Sequence, residues 1–242
     1  MNPILEVKNV EKQFLGCKAL QGVDMTIPAG EILGLLGPNA AGKTTLLKII
    51  AGLLQPTAGS VSYYSDQHIS QSGPESRKII SFCPDTLKFP SWMRVRDAFA
   101  FYQEMYPDYS QTRADELIKL LELTSLENKH IRSLSKGMQE RLALAATFAR
   151  ETRLYLFDEP LDGIDPVGKA KVIDAIIAMQ PENASTLVST HLVKDIERIL
   201  TRVFFLSRGK IIFSGECDTI REERNQTVEQ AYLEVFINEG TI

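Results

Sequence analysis

The 242-residue chain is poor in the features that mark several broad protein classes. No stretch approaches the roughly 18 consecutive apolar residues of a membrane-spanning helix, so any work at a membrane would leave the spanning to another chain. The opening MNPILEVKNVEKQF carries charges throughout and lacks the apolar core of a signal peptide. Only three cysteines occur, Cys17, Cys83 and Cys217, far apart and without a C-x-x-C pair. They read as reduced, small hydrophobic residues of a cytosolic protein. Basic residues are not in excess: a formal net charge of −4 argues against nucleic acid bound through a broad basic face. No internal repeat, low-complexity tract or long linker appears.

The composition itself is ordinary for a globular protein, 44% apolar and 24% charged, and the length suits one large domain or two closely packed subdomains. In VDMTI, Val23, Met25 and Ile27 alternate with polar Asp24 and Thr26, the pattern of a half-buried strand. ILGLL is short and apolar, as parallel strands buried on both faces tend to be. SVSYY and KIISFC read as further strands. From about residue 86 to 150 the period becomes helical, with Leu117, Leu120 and Leu121 on one face and Met138, Leu142, Ala145, Ala146 and Ala149 on another. Strand signals return at LYLF, TLVST and VFFLS. Between the first two lies a helix with Val172, Ile173, Ile176 and Ile177 inward. SRGKIIF predicts a hairpin turning at Arg208 and Gly209. Strands alternating with helices predict an α/β fold with a doubly wound parallel sheet, interrupted by an inserted helical subdomain.

One loop carries the chemistry. GPNAAGKT, Gly37 to Thr44, fits G-x-x-x-x-G-K-[ST] without a mismatch. Its glycines let the backbone curl so that N–H groups face phosphate oxygens, and the following helix aims its positive end at the same anion. Lys43 supplies a full charge to the outer phosphates, and Thr44 a hydroxyl to Mg²⁺. An apolar strand before the loop and a helix after it complete the expected setting for a nucleoside triphosphate. In RLYLFDEP, Asp158 ends another apolar strand and is suited to hold Mg²⁺ through water, while Glu159 can accept a proton from an attacking water. His191 ends a third strand, at the edge where such sheets bind ligands. The other two histidines, His68 and His130, have no comparable placement.

Together these stretches resemble the nucleotide-binding subunits of ABC transporters, over nearly the whole chain and in the family's motif order. GPNAAGKTT (Gly37, Pro38, Asn39, Ala40, Ala41, Gly42, Lys43, Thr44, Thr45) looks like Walker A and LYLFDE like Walker B. LSKGMQE sits where the signature belongs, LDGID looks like the D-loop, and STH is similar to the switch-histidine loop. The resemblance implies a P-loop NTPase core with an N-terminal antiparallel β subdomain and an inserted helical subdomain. The whole of 1–242 would be one ATPase domain: core and β subdomain over 1–85 and 151–215, signature subdomain over 86–150, and a short helical tail over 216–242. It implies ATP and Mg²⁺ as cofactors, with Phe14 stacking on adenine, and Glu159, His191 and Lys43 acting in hydrolysis. Two such domains, identical or related, would clasp ATP head to tail. Ser135, Lys136, Gly137 and Met138 would then face the partner's nucleotide, and Asp165 would link the two sites.

The work would pass to a permease on a separate chain, at the cytoplasmic face of the cell membrane. Two departures stand out. LSKGM replaces the commonest L-S-G-G-Q, as in bacitracin-type and multidrug-type exporters. Asp85 stands where the family usually has a glutamine, and is expected to reach the metal's water shell. The aromatic segment with Phe89, Trp92, Phe99, Phe101, Tyr102 and Tyr106 reads in part as a groove for a helix of the permease. The alternative is a soluble ABC ATPase of an assembly pathway such as iron–sulfur cluster biogenesis, whose signature more commonly keeps the double glycine.

Overall fold

A computed structural model describes residues 3–64, 69–71, 76–85 and 89–240. His68 and residues 86–88, at the start of the expected helical segment, lie outside them. Strands β1 (Leu5–Phe14), β2 (Cys17–Ile27), β4 (Ala58–Tyr64) and β5 (Ile69–Gln71) form an antiparallel sheet in the order β2-β1-β4-β5. The larger sheet holds β3 (Ile32–Leu36), β6 (Ile80–Cys83), β7 (Leu154–Asp158), β8 (Ser185–Thr190), β9 (Arg202–Ser207) and β10 (Lys210–Glu216). Its order is β10-β9-β3-β8-β7-β6, parallel except for the β9–β10 hairpin.

Alternation along these central strands divides the core in two, because successive side chains leave opposite faces of a sheet. Leu33, Leu35, Leu154, Leu156, Leu187 and Leu206 pack with helix α1 (Lys43–Ile50) and the small sheet. Tyr155, Phe157, Val188, Val203 and Phe205 face the other way, toward α4 (Lys136–Phe148) and α5 (Pro166–Met179). Both faces are therefore covered, which is why these strands read as continuous apolar runs rather than alternating ones.

Between β6 and β7 the chain is helical, through α2 (Val95–Met105), α3 (Gln111–Leu120) and α4. Arginines fasten this segment to the sheet. The Arg150 guanidinium forms a two-pronged pair with Asp108 at 2.9 and 2.8 Å, donates to the Ile80 carbonyl at 2.9 Å, and lies 4.1 Å from the centre of the Tyr106 ring. Arg113 donates to the carbonyls of Phe148 and Met179, so one side chain serves the C-terminal ends of both α4 and α5. After β8 comes the short α6 (Val193–Ile196), and α7 (Cys217–Glu223) and α8 (Val228–Asn238) close the chain. Tyr232 and Phe236 of α8 pack their rings against Phe205, edge-on and tilted, which binds the tail to the sheet. Among the described residues no helix is long and apolar enough to cross a membrane.

Three local expectations need correcting. Leu120 is exposed, because the buried face of α3 centres on Ala114, Leu117 and Leu121 and Leu120 lies about 100° round from it. Ile177 is 50% exposed for the same reason, on the far side of α5 from Val172, Ile176 and Met179. Lys78 and Ile79 belong to a 3₁₀ turn, and their strand starts only at Ile80.

Candidate active site

Strand β3 delivers the chain into residues 37–42, and two glycines there cannot be replaced without strain. A Cβ on Gly37 would run into the Leu206 carbonyl oxygen. Gly42 has φ +110°, and a Cβ there would approach the Ala19 carbonyl oxygen to 2.7 Å. Ala40 also takes a positive φ of 62°. Alternating hand along a loop is how consecutive N–H groups come to point into one concavity. No side chain caps α1, so its first N–H groups stay available to an anion. The β9–β10 turn braces the loop from behind. Arg208 and Gly209 have φ of 46° and 78°, the primed turn expected of their sequence, and Gly209 N–H donates to the Ala41 carbonyl at 2.9 Å.

Lys43 is 6% exposed and fully engaged. Its ammonium donates to the carbonyls of Gly37 at 2.7 Å and Pro38 at 3.2 Å and pairs with Glu159 Oε1 at 3.0 Å. A buried ammonium needs such partners, because desolvation alone would be prohibitive. The other oxygen of Glu159 accepts from His191 Nδ1 at 3.0 Å and from the His191 backbone N–H at 3.3 Å. A carboxylate only accepts, so Nδ1 is the donor. The strands place these groups: Asp158 pairs with Ser189 in the β7–β8 register, Glu159 lies one residue beyond Asp158, and His191 two beyond Ser189. Glu159 stands at φ 50°, the left-handed region, and its N–H donates to the Ser189 carbonyl at 3.0 Å.

Asp158 lies beneath, 2% exposed. Its Oδ1 accepts from the Ser189 hydroxyl at 2.5 Å, and its Oδ2 is buried with no hydrogen-bond partner among the described residues. Burial raises its pKa, while the hydroxyls of Ser189 and Thr44 pull it back. A buried carboxylate oxygen with an open lone pair, beside a threonine hydroxyl, is a hard-oxygen donor set that fits Mg²⁺.

The cleft above has a volume of about 650 Å³ and is lined by Asn39, Ala40, Ala41, Gly42, Lys43, Thr44, Thr45, Asp85, Glu159 and His191. Sequence reasoning missed the rest of the lining, Cys17, Lys18, Ala19, Gln21, Asp162, Arg208 and Gly209. Only the Arg-Gly turn signalled part of it. Ser189 was also missed as the anchor of Asp158, although it opens the STH stretch. Phe14 is 44% exposed and does not itself line the cleft; it sits across the β1–β2 turn from Cys17, which does, with the Lys12 ammonium 5.1 Å from its ring centre.

The remaining candidates lie outside this cleft. The Ser135 hydroxyl caps α4 by accepting from Met138 N–H at 3.3 Å, with Lys136 and Gly137 in the first turn behind it. Asp165 caps α5, accepting from Val167 N–H at 3.1 Å and Gly168 N–H at 3.0 Å, and these bonds lower its pKa. A phosphate cradle after β3, a histidine just past the end of its neighbour β8 and an acid at the end of β7 beyond it thus share one sheet edge. Residues 20–162 match the family model described as ABC transporter.

The chain belongs to the ABC transporter family. It is 30% identical to the ABC transporter ATP-binding protein YdbJ of Bacillus subtilis, over 96% of this chain and 74% of that one. It is 29% identical to the daunorubicin resistance ATP-binding protein DrrA3 of Streptomyces coeruleorubidus, over 90% and 70%. Among solved structures it is similar to the dimeric post-hydrolysis state of the ATP-binding cassette MJ0796 bound to ADP and phosphate. There the TM-score is 0.76 and the identity 26%, over 88% of this chain and 98% of that one. The molecule is accordingly an ABC ATPase, the ATP-binding subunit of a transporter.

Proposed function

We propose that this ABC ATPase drives export through a separate membrane-spanning subunit, by closing on ATP as a dimer and reopening after hydrolysis. The observation that carries this reading is the Lys43–Glu159–His191 chain of contacts at one end of the cleft, with the Ser135 turn outside it. An anion entering the loop competes with Glu159 for the Lys43 ammonium. As Lys43 turns to the phosphates, Glu159 is freed on one side and stays held by His191 on the other. Its carboxylate takes the proton of a water whose oxygen attacks the γ-phosphorus. The bond to the β–γ bridging oxygen breaks, leaving ADP and inorganic phosphate. Thr44 and Asp158 would hold Mg²⁺, with Asp85 a further candidate, and the ion when bound neutralises charge on the phosphate oxygens. Phe14 offers its exposed face to adenine.

Ser135, Lys136, Gly137 and Met138 stand at the N-terminus of α4 and face the nucleotide of a second cassette, which is a copy of this chain or a related one. Asp165, already capping α5, lies between the two sites. In this reading residues 86–150 are the signature subdomain, 1–85 and 151–215 the core, and 216–242 a tail. The membrane subunit docks on the segment around α2. Phe99 and Tyr102 are buried and Phe89 and Tyr106 half-buried, while Trp92 is 69% exposed and Phe101 and Met105 present one turn of exposed apolar surface. In this reading the subunit works at the cytoplasmic face of the membrane. The drug-resistance name of one relative supports export over an assembly pathway.

The test is Glu159→Gln in the purified chain, assayed with Mg-ATP. Hydrolysis should fall at least about 100-fold, while ATP still binds and a dimer accumulates. Retention of most of the turnover would remove Glu159 as the base. A pull-down from solubilised membranes should recover a multi-span protein, and its loss on trimming Trp92 would assign the docking face.

A further inference from the structure

The two departures from the family's common motifs, an acid at position 85 and a lysine at 136, are far apart in sequence but line one cavity. It has a volume of about 360 Å³ and lies between the end of β6, the first turn of α4 and the stretch after β7. Asp85, Glu140, Asp158 and Asp162 bring four carboxyl groups to its wall, and among the lining residues Lys136 is the only cation. The ammonium lies 3.2 Å from Asp162 Oδ2 and 3.8 Å from Glu140 Oε1. The lysine also runs along Gly163, where a Cβ would come within 2.7 Å of Nζ. One side chain of the signature turn is thereby seated on the D-loop of its own chain. Asp162 chiefly, then Glu140 and last Asp85, favour its charged form.

We propose that Lys136 is a positioning residue that fixes the signature turn to the D-loop of the same chain and supplies the positive charge that allows an acid at position 85. The physical reason is charge balance. With glycine at 136 the cavity would hold only carboxyl groups, and an acid at 85 would add repulsion where a neutral glutamine adds none. With lysine present the acid is compensated, so each departure makes the other tolerable. The consequence for the reaction rests on the reading above. The signature and D-loop both approach the nucleotide held by the partner, and the lysine sets their spacing before the two cassettes meet.

The experiment uses the full chain with Mg-ATP and compares Lys136→Ala, Lys136→Arg, Asp85→Gln and the double variant Lys136→Ala/Asp85→Gln. Turnover and KM are measured, together with the affinity of dilute protein for a fluorescent ATP analogue. Lys136→Ala should lower kcat about fivefold, the scale of a largely exposed ion pair, with nucleotide affinity unchanged within about twofold. Lys136→Arg should recover at least half of that loss. Asp85→Gln in the Lys136→Ala background should restore turnover instead of lowering it further, a sign of coupling that independent sites do not show. If Asp85→Gln multiplies the loss, or if arginine is as poor as alanine, the proposal is overturned. Wild-type protein that hydrolyses ATP and Glu159→Gln protein that does not would then leave the ATPase reading standing. Wild-type protein that binds no Mg-ATP would remove both.

Discussion

The phosphate loop and the signature turn both present the start of a helix, yet they differ in what surrounds them. Around α1 the chain supplies everything itself: Lys43, Glu159 and His191 are joined by contacts of 3.0 to 3.3 Å, and buried Asp158 is held by the Ser189 hydroxyl at 2.5 Å. Around α4 the corresponding space is open, and the nearest charged groups bear on Lys136 rather than on any pocket before Ser135. A site assembled within one chain binds on its own, because its ordering cost is met on folding. A helix start presented outward gains its ligand only when another molecule brings it. The contrast teaches that nucleotide affinity and turnover should separate cleanly between the two regions.

The sharpest way to break that contrast is at Lys43. Lys43→Ala should weaken ATP binding about 100-fold, given roughly 1.5 to 3 kcal/mol for each hydrogen bond to a charged group, and isothermal titration would read it directly. A loss under about threefold would mean that the cleft does not hold the phosphates. Gly137→Ala probes the other region. A Cβ there meets only ordinary contacts near Ile164, at 3.6 Å and beyond, so the fold should be unharmed or slightly stabilised. Single-chain ATP affinity should not change, while turnover should fall about tenfold as the methyl group meets the partner's phosphate. Equal effects on affinity and turnover would put the signature in the same site as Lys43.

The smallest effect concerns Glu140, whose carboxyl is raised to about 7 mainly by burial. A raised carboxyl favours the folded state below its unfolded pKa, near 4.5, and that contribution is lost as pH rises through about 7. Glu140→Gln should therefore raise the melting temperature at pH 8 by a few degrees, of the order of 1 kcal/mol with Lys136 nearby, and leave it unchanged at pH 4. An equal shift at both pH values would point to packing instead of charge.

Much of this was legible because it depends on local pattern. The cradle follows from glycine spacing, the central strands from apolar runs, and the hairpin from an Arg-Gly pair that suits left-handed torsions. The part of the cleft's lining that β2 supplies was not legible, because Lys18 and Gln21 reach it from a different sheet and nothing in their neighbourhood marks them. The meeting of Asp85 and Lys136 has the same cause: sequence shows two separate oddities, and only the packing of α4 against β6 and β7 makes them neighbours. Leu120 and Ile177 failed for a simpler reason. A helix stripe is broad, and an apolar residue at its flank looks the same in sequence as one at its centre.

The left-handed backbone at Glu159 bears on how the protein can be redesigned. A saturation library at that codon would be sorted first by torsion and only then by reactivity, since branched side chains resist that conformation. Glutamine keeps shape and torsional preference alike. Inactive valine or isoleucine clones would report on a distorted turn, so the proton acceptor is best judged from the amide alone.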